Sequence, residues 1–262
     1  MSDQRPRVSL VLPCHRAGEL ARKTVAAMID YLPTVVDSWE ILVVDDGGND
    51  FDALPLPQHP AVKLLSHSVN LGKGAAVRTG MLAASGEVRV FTDVDMPYDR
   101  ELLPAMVHFI LSRGFHLVIG DRTIEGSRYQ PATGARRVVS AVASRLIGSL
   151  VTGGFHDTQC GIKAVRGDVA EALFPLVKTH RFAFDVEVVY LSLKHSLDIK
   201  RLPVRLRRNE TTSVRPLRDS VRAAVDILAI KLRQLRGDYA SPELRRIALA
   251  DVEELMGDLL LD

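Results

Sequence analysis

Short apolar runs and amphipathic stretches alternate along the first part of the chain. Apolar runs of about five residues between turn residues are typical of buried strands, and apolar residues at every third or fourth position are typical of helices. The predicted strands are Arg7–Leu12, Glu40–Val44, Val62–Ser66, Val88–Thr92 and Phe115–Ile119, and the predicted helices are Ala17–Tyr31, Gly74–Ala84 and Arg100–Ser112. This alternation predicts an α/β fold with an open, mostly parallel sheet flanked by helices.

The pattern changes after Gly120, where a polar region rich in turn residues extends to Gly134. The later predicted elements are a helix through Val138, Val142, Leu146 and Leu150, a strand over Asp198–Arg205, a basic amphipathic helix over Arg218–Arg236, and a last helix that begins at Ser241 and Pro242. Serine as N-cap and proline at the first helical position are a typical start of a helix. We expect a main domain of residues 1–215, with halves 1–120 and 121–215, and a C-terminal helical segment of residues 216–262.

Composition indicates a water-soluble chain and excludes several classes of protein. The 262 residues are 47% hydrophobic and 25% charged, with a net charge of +2, so the overall charge does not favour a nucleic-acid partner. The two cysteines form neither a metal-binding spacing nor a disulfide framework, which is typical of a reducing cytosol. No apolar run reaches transmembrane length. We therefore expect a cytoplasmic protein that, if it works at a membrane, docks from the water side.

Acidic pairs follow two of the predicted strands. Asp45 and Asp46 end one apolar run, and Asp93 and Asp95 follow Val88–Thr92. Neighbouring carboxylates repel each other unless a cation or ligand neutralises them, and ligands bind at the carboxyl ends of strands in open α/β sheets. Mg²⁺ and Mn²⁺ prefer oxygen ligands of this kind. The pattern predicts a divalent-metal and nucleotide site, with a turn or helix cap after each strand as the alternative.

A glycine-rich segment, Asn70–Gly74, lies between the two acidic pairs. It lacks the spacing of a Walker A loop. It is equally compatible with a helix start whose Lys73 lies in solvent and with a helix N-terminus and a lysine beside a nucleotide diphosphate.

Taken in order, these segments resemble glycosyltransferase family 2, whose members have the GT-A (Rossmann-like) fold. The matching segments are Val8–Pro13, Val43–Gly47, Asn70–Gly74, Asp93–Asp95, Asp157–Lys163, Phe184–Glu187 and Leu202–Val204. The later segments are similar to the branch of dolichyl-phosphate β-glucosyltransferases and dolichyl-phosphate mannose synthases. After Pro13 this chain departs from the family pattern, because it reads Cys14-His15-Arg16-Ala17 and its first glutamate is Glu19.

The resemblance implies roles for individual residues. The nucleotide sugar would contact Pro13, His15, Glu19, Asp46, Lys73, Asp93 and Arg205. Mg²⁺ or Mn²⁺ would bind at Asp93 and Asp95. The acceptor phosphate would face Arg122, Arg136 and Arg137. The catalytic carboxylates of the acceptor half would be Asp157, Asp185 and Glu187; for the last two, a helix cap and an arginine ion pair are the alternatives.

The implied reaction is inverting transfer of a hexose from a nucleoside-diphosphate sugar, of the UDP-glucose or GDP-mannose type, to a polyprenyl or dolichyl phosphate. A phosphate acceptor is already anionic and needs positioning by arginine more than deprotonation. Two alternatives stay open at this point. One is a soluble glycosyltransferase with a hydroxyl acceptor, which would need Asp157, Asp185 or Glu187 as general base. The other is a non-catalytic module that binds nucleotide sugars.

The basic segment Arg201–Arg236 suggests a membrane surface. Val221, Val225, Leu228 and Leu232 predict an apolar stripe, and Arg218, Arg222, Lys231 and Arg233 predict cationic flanks. Such a helix suits the interface of an anionic bilayer. The alternative is that the stripe packs on the core of the protein itself.

Overall fold

The computed structural model describes residues 7–128, 157–181, 183–206 and 216–259. Seven strands form one sheet in the order β3-β2-β1-β4-β6-β5-β7. The strands are β1 (Val8–Cys14), β2 (Trp39–Asp45), β3 (Val62–Ser66), β4 (Val88–Thr92), β5 (Leu117–Asp121), β6 (Ile162–Arg166) and β7 (Ile199–Pro203). All pairs are parallel except those of β6, which runs antiparallel to both β4 and β5.

Helices cover both faces of this sheet. They are α1 (Gly18–Tyr31), α2 (Lys73–Ala83), α3 (Leu102–Arg113), α4 (Gly167–Leu173), α5 (Phe184–Lys194), α6 (Pro216–Arg236) and α7 (Pro242–Leu259). The core on one face includes residues of α1 and α3, and the core on the other includes residues of α2, α4, α5, α6 and α7. The two C-terminal helices therefore pack on the same hydrophobic core as the strands and bury Ile230 and Leu244 completely.

The structure confirms the predicted α/β class and mostly parallel sheet, and it adds one strand and one short helix, β6 and α4, that were not predicted. All six predicted strands are present, with ends shifted by up to two residues. Strand β6 was not predicted, because Lys163 and Arg166 interrupt its apolar pattern. The last helix begins as expected, with the Leu244 backbone N–H donating to the Ser241 hydroxyl at 3.2 Å. The domain boundaries stay a prediction, although one sheet runs through both halves of residues 1–215.

The reversed strand places a second set of residues at the functional edge of the sheet. Thr92, which ends β4, pairs with Ile162, which begins β6. The segment that leads into β6 therefore lies at the same edge as the carboxyl ends of β1, β2 and β4. Arg16, Asn49 and Met96 follow those three ends and have positive φ angles of 52°, 56° and 44°. Non-glycine residues with a positive φ angle are uncommon and are concentrated at functional sites.

Candidate functional site

The carboxylates at the end of β2 are bound by the protein itself. Asp45 accepts hydrogen bonds from the backbone N–H groups of Gly48 and Asn49, at 2.8 and 3.0 Å. Asp46 is 3% exposed. Its carboxylate lies 2.8–2.9 Å from three donors, namely the imidazole of His67 and the backbone N–H groups of Leu71 and Gly72. The carboxylate of Asp46 is therefore held by the protein, and its predicted contact with the nucleotide stays a prediction.

The carboxylates after β4 lie in a more open setting. The side chain of Asp93 is 35% exposed, and its Oδ1 lies 2.5 Å from the Nζ of Lys73, the first residue of α2. Asp95 is half-buried. Burial disfavours the charged form of Lys73, but the carboxylates of Asp93, Asp185 and Asp95 outweigh this effect and raise the pKa of Lys73. The lysine is therefore a cation at neutral pH and neutralises part of the negative charge of this group of carboxylates.

The backbone before β6 closes this site from the other side. A Cβ atom added at Gly161 would collide with the Oδ2 of Asp93, so a larger residue there would have to displace that carboxylate. The adjacent Cys160 is fully buried, and burial raises the pKa of its thiol to about 11. Cys160 is thus a packing residue.

A bidentate ion pair joins Arg122, which follows β5, to Asp157, which precedes β6. Arg122 donates from Nε and Nη2 to the carboxylate of Asp157 at 2.9 and 2.7 Å, and its backbone N–H adds a third bond at 2.7 Å. Burial works against the ionised form, but Arg122 lowers the pKa of Asp157 below its usual range. The structure brings together one predicted acceptor arginine and one predicted catalytic carboxylate. The predicted Arg136, Arg137 and the helix through Val138 lie outside the described residues.

The first turn of α5 carries the other two predicted catalytic carboxylates, and both are buried. Asp185 pairs with the ammonium of Lys163, which is itself fully buried in β6. Burial raises the pKa of Asp185, against the opposing effects of Lys163 and Lys73. Glu187 pairs with Arg233 of α6 at 3.1 Å. For Glu187 the arginine alternative is what the structure shows, whereas Asp185 binds a lysine and caps no helix.

The remaining predicted residues surround the same edge. Pro13 lies in β1 opposite Val44. The His15 ring nitrogen lies 2.9 Å from the Asp46 carbonyl oxygen. Arg205 lies beside the turn that follows β4, because its carbonyl accepts a hydrogen bond from the Asp99 N–H at 3.1 Å. Glu19 is instead on the surface of α1, where it pairs with Arg22 and Lys23. Their contacts with a nucleotide stay predictions.

Three residues of this region were missed by sequence reasoning. They are Lys163, His67 and Tyr239. The first had a signal, since a lysine between Ile162 and Ala164 requires a partner if that segment is buried. The other two had none, because their partners Asp46 and Glu187 are distant in sequence.

Comparison with known proteins identifies the family. A model of glycosyl transferase family 2 matches residues 9–174, which is more than half of the chain. The chain belongs to glycosyl transferase family 2. A dolichyl-phosphate beta-glucosyltransferase of Dictyostelium discoideum is 28% identical over 211 residues, which cover 76% of this chain and 64% of that protein. The chain thus spans about two thirds of the length of this curated relative, and the predicted resemblance to the branch is confirmed.

Two further proteins extend the comparison. A dodecaprenyl-phosphate galacturonate synthase of Rhizobium johnstonii is 27% identical over 188 residues, covering 68% of this chain and 53% of that protein. Glucosyl-3-phosphoglycerate synthase from Mycobacterium tuberculosis, solved in complex with Mn²⁺, UDP and glucosyl-3-phosphoglycerate, is similar in structure. Its TM-score is 0.59 at 21% identity, and the match covers 87% of this chain and 79% of that one. This likeness confirms the predicted GT-A fold.

Proposed function

We propose that this protein is an inverting glycosyltransferase that moves a hexose from a nucleoside-diphosphate sugar to a polyprenyl phosphate. The observation that carries the proposal is the cluster of Asp93, Asp95 and Lys73 at the carboxyl end of β4. The family membership and the names of the curated relatives support the reaction and the lipid-phosphate acceptor. Inversion at the sugar carbon comes from the resemblance to the family.

The residues after β4 fit a hard divalent cation. Mg²⁺ is usually held by one or two carboxylates together with substrate phosphates, rather than by a cage of protein ligands. Among the described residues, no group of three or more His, Cys, Asp and Glu side chains forms such a cage. Asp93 and Asp95 would hold Mg²⁺ or Mn²⁺, and the bound metal would neutralise charge on the departing diphosphate.

Two cationic side chains would complete the donor site. Lys73 begins α2, and its ammonium at the positive end of the helix dipole favours an anion. Arg205 is exposed and lies beside the turn that carries Asp93 and Asp95. We expect both residues to bind the diphosphate and to stabilise it as it leaves.

On the acceptor side, Asp157 would orient Arg122 for a phosphate. A guanidinium held by a carboxylate keeps a fixed plane, and arginine is suited to phosphate because of its planar set of donors. The phosphate oxygen is itself the nucleophile, so no protein base is needed. Arg136 and Arg137 remain candidates for the same anion.

Transfer to a hydroxyl acceptor is the second candidate function, and the raised pKa of Asp185 favours it. Burial raises the pKa of Asp185, which shifts this carboxylate in the direction required of a general base. Asp157 is less suited to that role, because Arg122 lowers its pKa, and Glu187 is surrounded by four donors. Asp185 is itself bound by Lys163, so it could act as a base only if that ion pair opened.

A product assay separates these functions. The protein would be incubated with radiolabelled UDP-glucose or GDP-mannose, Mn²⁺ or EDTA, and either a polyprenyl phosphate in detergent or a soluble alcohol. We expect label to enter the organic phase only with the lipid phosphate and the metal. Label that remains in a water-soluble product would favour the hydroxyl acceptor. Binding of the nucleotide sugar without any turnover would indicate the non-catalytic module.

We further propose that α6 docks on an anionic membrane. Val225, Leu228, Leu232 and Leu235 form a stripe along α6 and are 61%, 60%, 44% and 82% exposed. The described part of the stripe is therefore not packed on the core, whereas Ile230 on another side of the helix is fully buried. Lys231 and Arg236 lie near the stripe, but Arg233, predicted as a flank, turns toward Glu187. No helix in the part of the chain described by the structure is long and apolar enough to cross a bilayer.

Vesicle flotation tests the docking. At low salt the protein should float with anionic vesicles more than with neutral ones, since each cation near such a surface contributes about 1 kcal/mol. Leu235→Glu should abolish flotation, while Leu249→Glu, at a 56% exposed leucine of α7, should not change it. Equal flotation with both vesicle types would contradict the proposal and favour the hydroxyl acceptor.

A further inference from the structure

Glu187 is surrounded by donors from three parts of the chain. It is fully buried. One carboxylate oxygen accepts the backbone N–H groups of Lys178 and Thr179, at 2.9 and 2.7 Å. The other oxygen accepts hydrogen bonds from the Nη1 of Arg233, at 3.1 Å, and from the hydroxyl of Tyr239. A buried carboxylate with two donors on each oxygen has no exposed edge for a substrate.

The segment held by Glu187 lies directly on the start of α2. The backbone N–H of Ala75 donates to the carbonyl of His180 at 3.1 Å. A Cβ atom at Gly72 would come within 2.5 Å of the His180 carbonyl oxygen, and one at Gly74 within 2.5 Å of the Thr179 carbonyl oxygen. The two backbones are therefore in close contact on both sides of Lys73, and a shift of residues 178–181 must move the start of α2.

The donors on the far side of Glu187 come from beyond the family match. That match ends at residue 174, whereas Arg233 lies in α6 and Tyr239 in the connection to α7. Tyr239 is fully buried and packs against Tyr190 of α5, with ring centroids 5.8 Å apart. Arg233 also donates directly to the Thr179 hydroxyl at 3.4 Å. The C-terminal helices thus reach the N-terminus of α2 through residues 178–181, by way of Glu187 and of Arg233 itself.

We infer that Glu187 is a positioning residue that, together with Tyr239 and Arg233, fixes the start of α2 so that Lys73 meets Asp93. The inference rests on the proposed function in one respect, namely that Lys73 and Asp93 belong to the donor site. It assigns the C-terminal helices a role in donor binding that is separate from membrane docking. Glu187, which was predicted to be catalytic, would then position the start of α2 without contacting the substrate.

Tyr239→Phe tests the inference, with Tyr190→Phe as its matched control. The first variant removes one hydrogen bond to the buried carboxylate and keeps the ring. The second removes a neighbouring buried hydroxyl that has no hydrogen-bond partner within the described structure. Hydrogen exchange would be measured at the Lys178, Thr179 and Ala75 amides, and the affinity for UDP-glucose and GDP-mannose with Mn²⁺ by calorimetry.

We expect Tyr239→Phe to accelerate exchange at the three amides and to weaken donor binding by about tenfold, the usual effect of losing one hydrogen bond to a charged group. The donor KM should rise more than kcat falls. Tyr190→Phe should match the wild type in every measurement. Arg233→Lys should retain more affinity than Arg233→Met, because it keeps a cation beside Glu187.

Two results would overturn the inference. One is wild-type exchange at Ala75 in Tyr239→Phe; the other is faster exchange with unchanged donor affinity. If Tyr239→Phe does not fold, the comparison of Arg233→Lys with Arg233→Met decides by the same two criteria. If the wild-type protein binds no nucleotide sugar, the proposed function fails, and exchange at Ala75 alone decides whether the C-terminal helices hold α2.

Discussion

The ends of β2 and β4 carry similar acidic pairs in opposite environments. Asp46 after β2 is 3% exposed and lies against three protein donors. Asp93 after β4 is 35% exposed, and it pairs with the side chain of Lys73. Backbone N–H groups are fixed in place, whereas a lysine side chain can move away when a ligand arrives. We infer that the first pair holds the loops of the site in place and that the second pair binds ligands.

Replacing Asp95 should give the largest effect on activity. Asp95→Asn keeps the size of the side chain and removes its charge, so turnover with Mn²⁺ should fall by roughly 10³-fold, because the metal contributes several kcal/mol to the transition state. The melting temperature should stay close to that of the wild type. Asp52→Asn, at an exposed aspartate after β2, is the control and should retain full activity. Unchanged turnover in Asp95→Asn would contradict the metal assignment.

Gly161→Ala should disturb the second pair without changing any ligand. The added Cβ would collide with Asp93 Oδ2 and displace this carboxylate from Lys73. A small misplacement of a catalytic group can lower the rate by about 10²-fold, and we expect a loss of that order in kcat/KM. Titration of Mn²⁺ in the presence of UDP should show weakened binding. Wild-type metal affinity would show that Asp93 has room to move.

Asp46→Asn should act on stability rather than on the metal. The amide offers one acceptor oxygen where three donors require two, so one buried N–H loses its partner, at about 1–3 kcal/mol. Chemical denaturation would measure this loss as a lower free energy of unfolding. The affinity for Mn²⁺ should remain at the wild-type value. A stable variant with weakened nucleotide binding would instead restore the predicted ligand role of Asp46.

Asp157 offers a test of how stability depends on pH. Its substitution should have the smallest effect of the four variants. Arg122 lowers the folded-state pKa of Asp157 below the unfolded value of about 3.9, so the pair stabilises the fold above that value. This contribution should disappear as pH falls from about 4 through the lower folded pKa. Asp157→Asn should therefore show a flatter dependence of melting temperature on pH in this range. An identical acid dependence would show that the pair does not stabilise the fold.

The sequence predicted the features that local pattern determines. The five residues Val88–Thr92, which are mostly apolar, followed by Asp93 indicate both a strand and its end, and the parallel order then brings Asp45 and Asp93 to one edge. The family resemblance rested on the same segments. Such predictions succeed because strand length, alternation and chain order are properties of neighbouring residues.

The environment of each carboxylate could not be predicted in this way. Nothing in the segment Phe184–Glu187 indicates that Asp185 meets a lysine of β6 and Glu187 a tyrosine of the C-terminal region. These partners come together only after β6 enters the sheet in reverse and α6 packs on the core. Tertiary contacts therefore decide which acidic residues bind ligands and which support the structure.

The place of β5 in the sheet has a consequence for the order of folding. Both of its neighbours, β6 and β7, follow it in the chain, the nearer one beginning at Ile162. Strands β1–β4 can pair with one another as soon as they are synthesised, whereas Leu117–Asp121 must wait until β6 has left the ribosome. During this interval the apolar strand has no partner and is exposed to aggregation. The four parallel strands can thus assemble early, while the half of the sheet that holds Asp157 forms late.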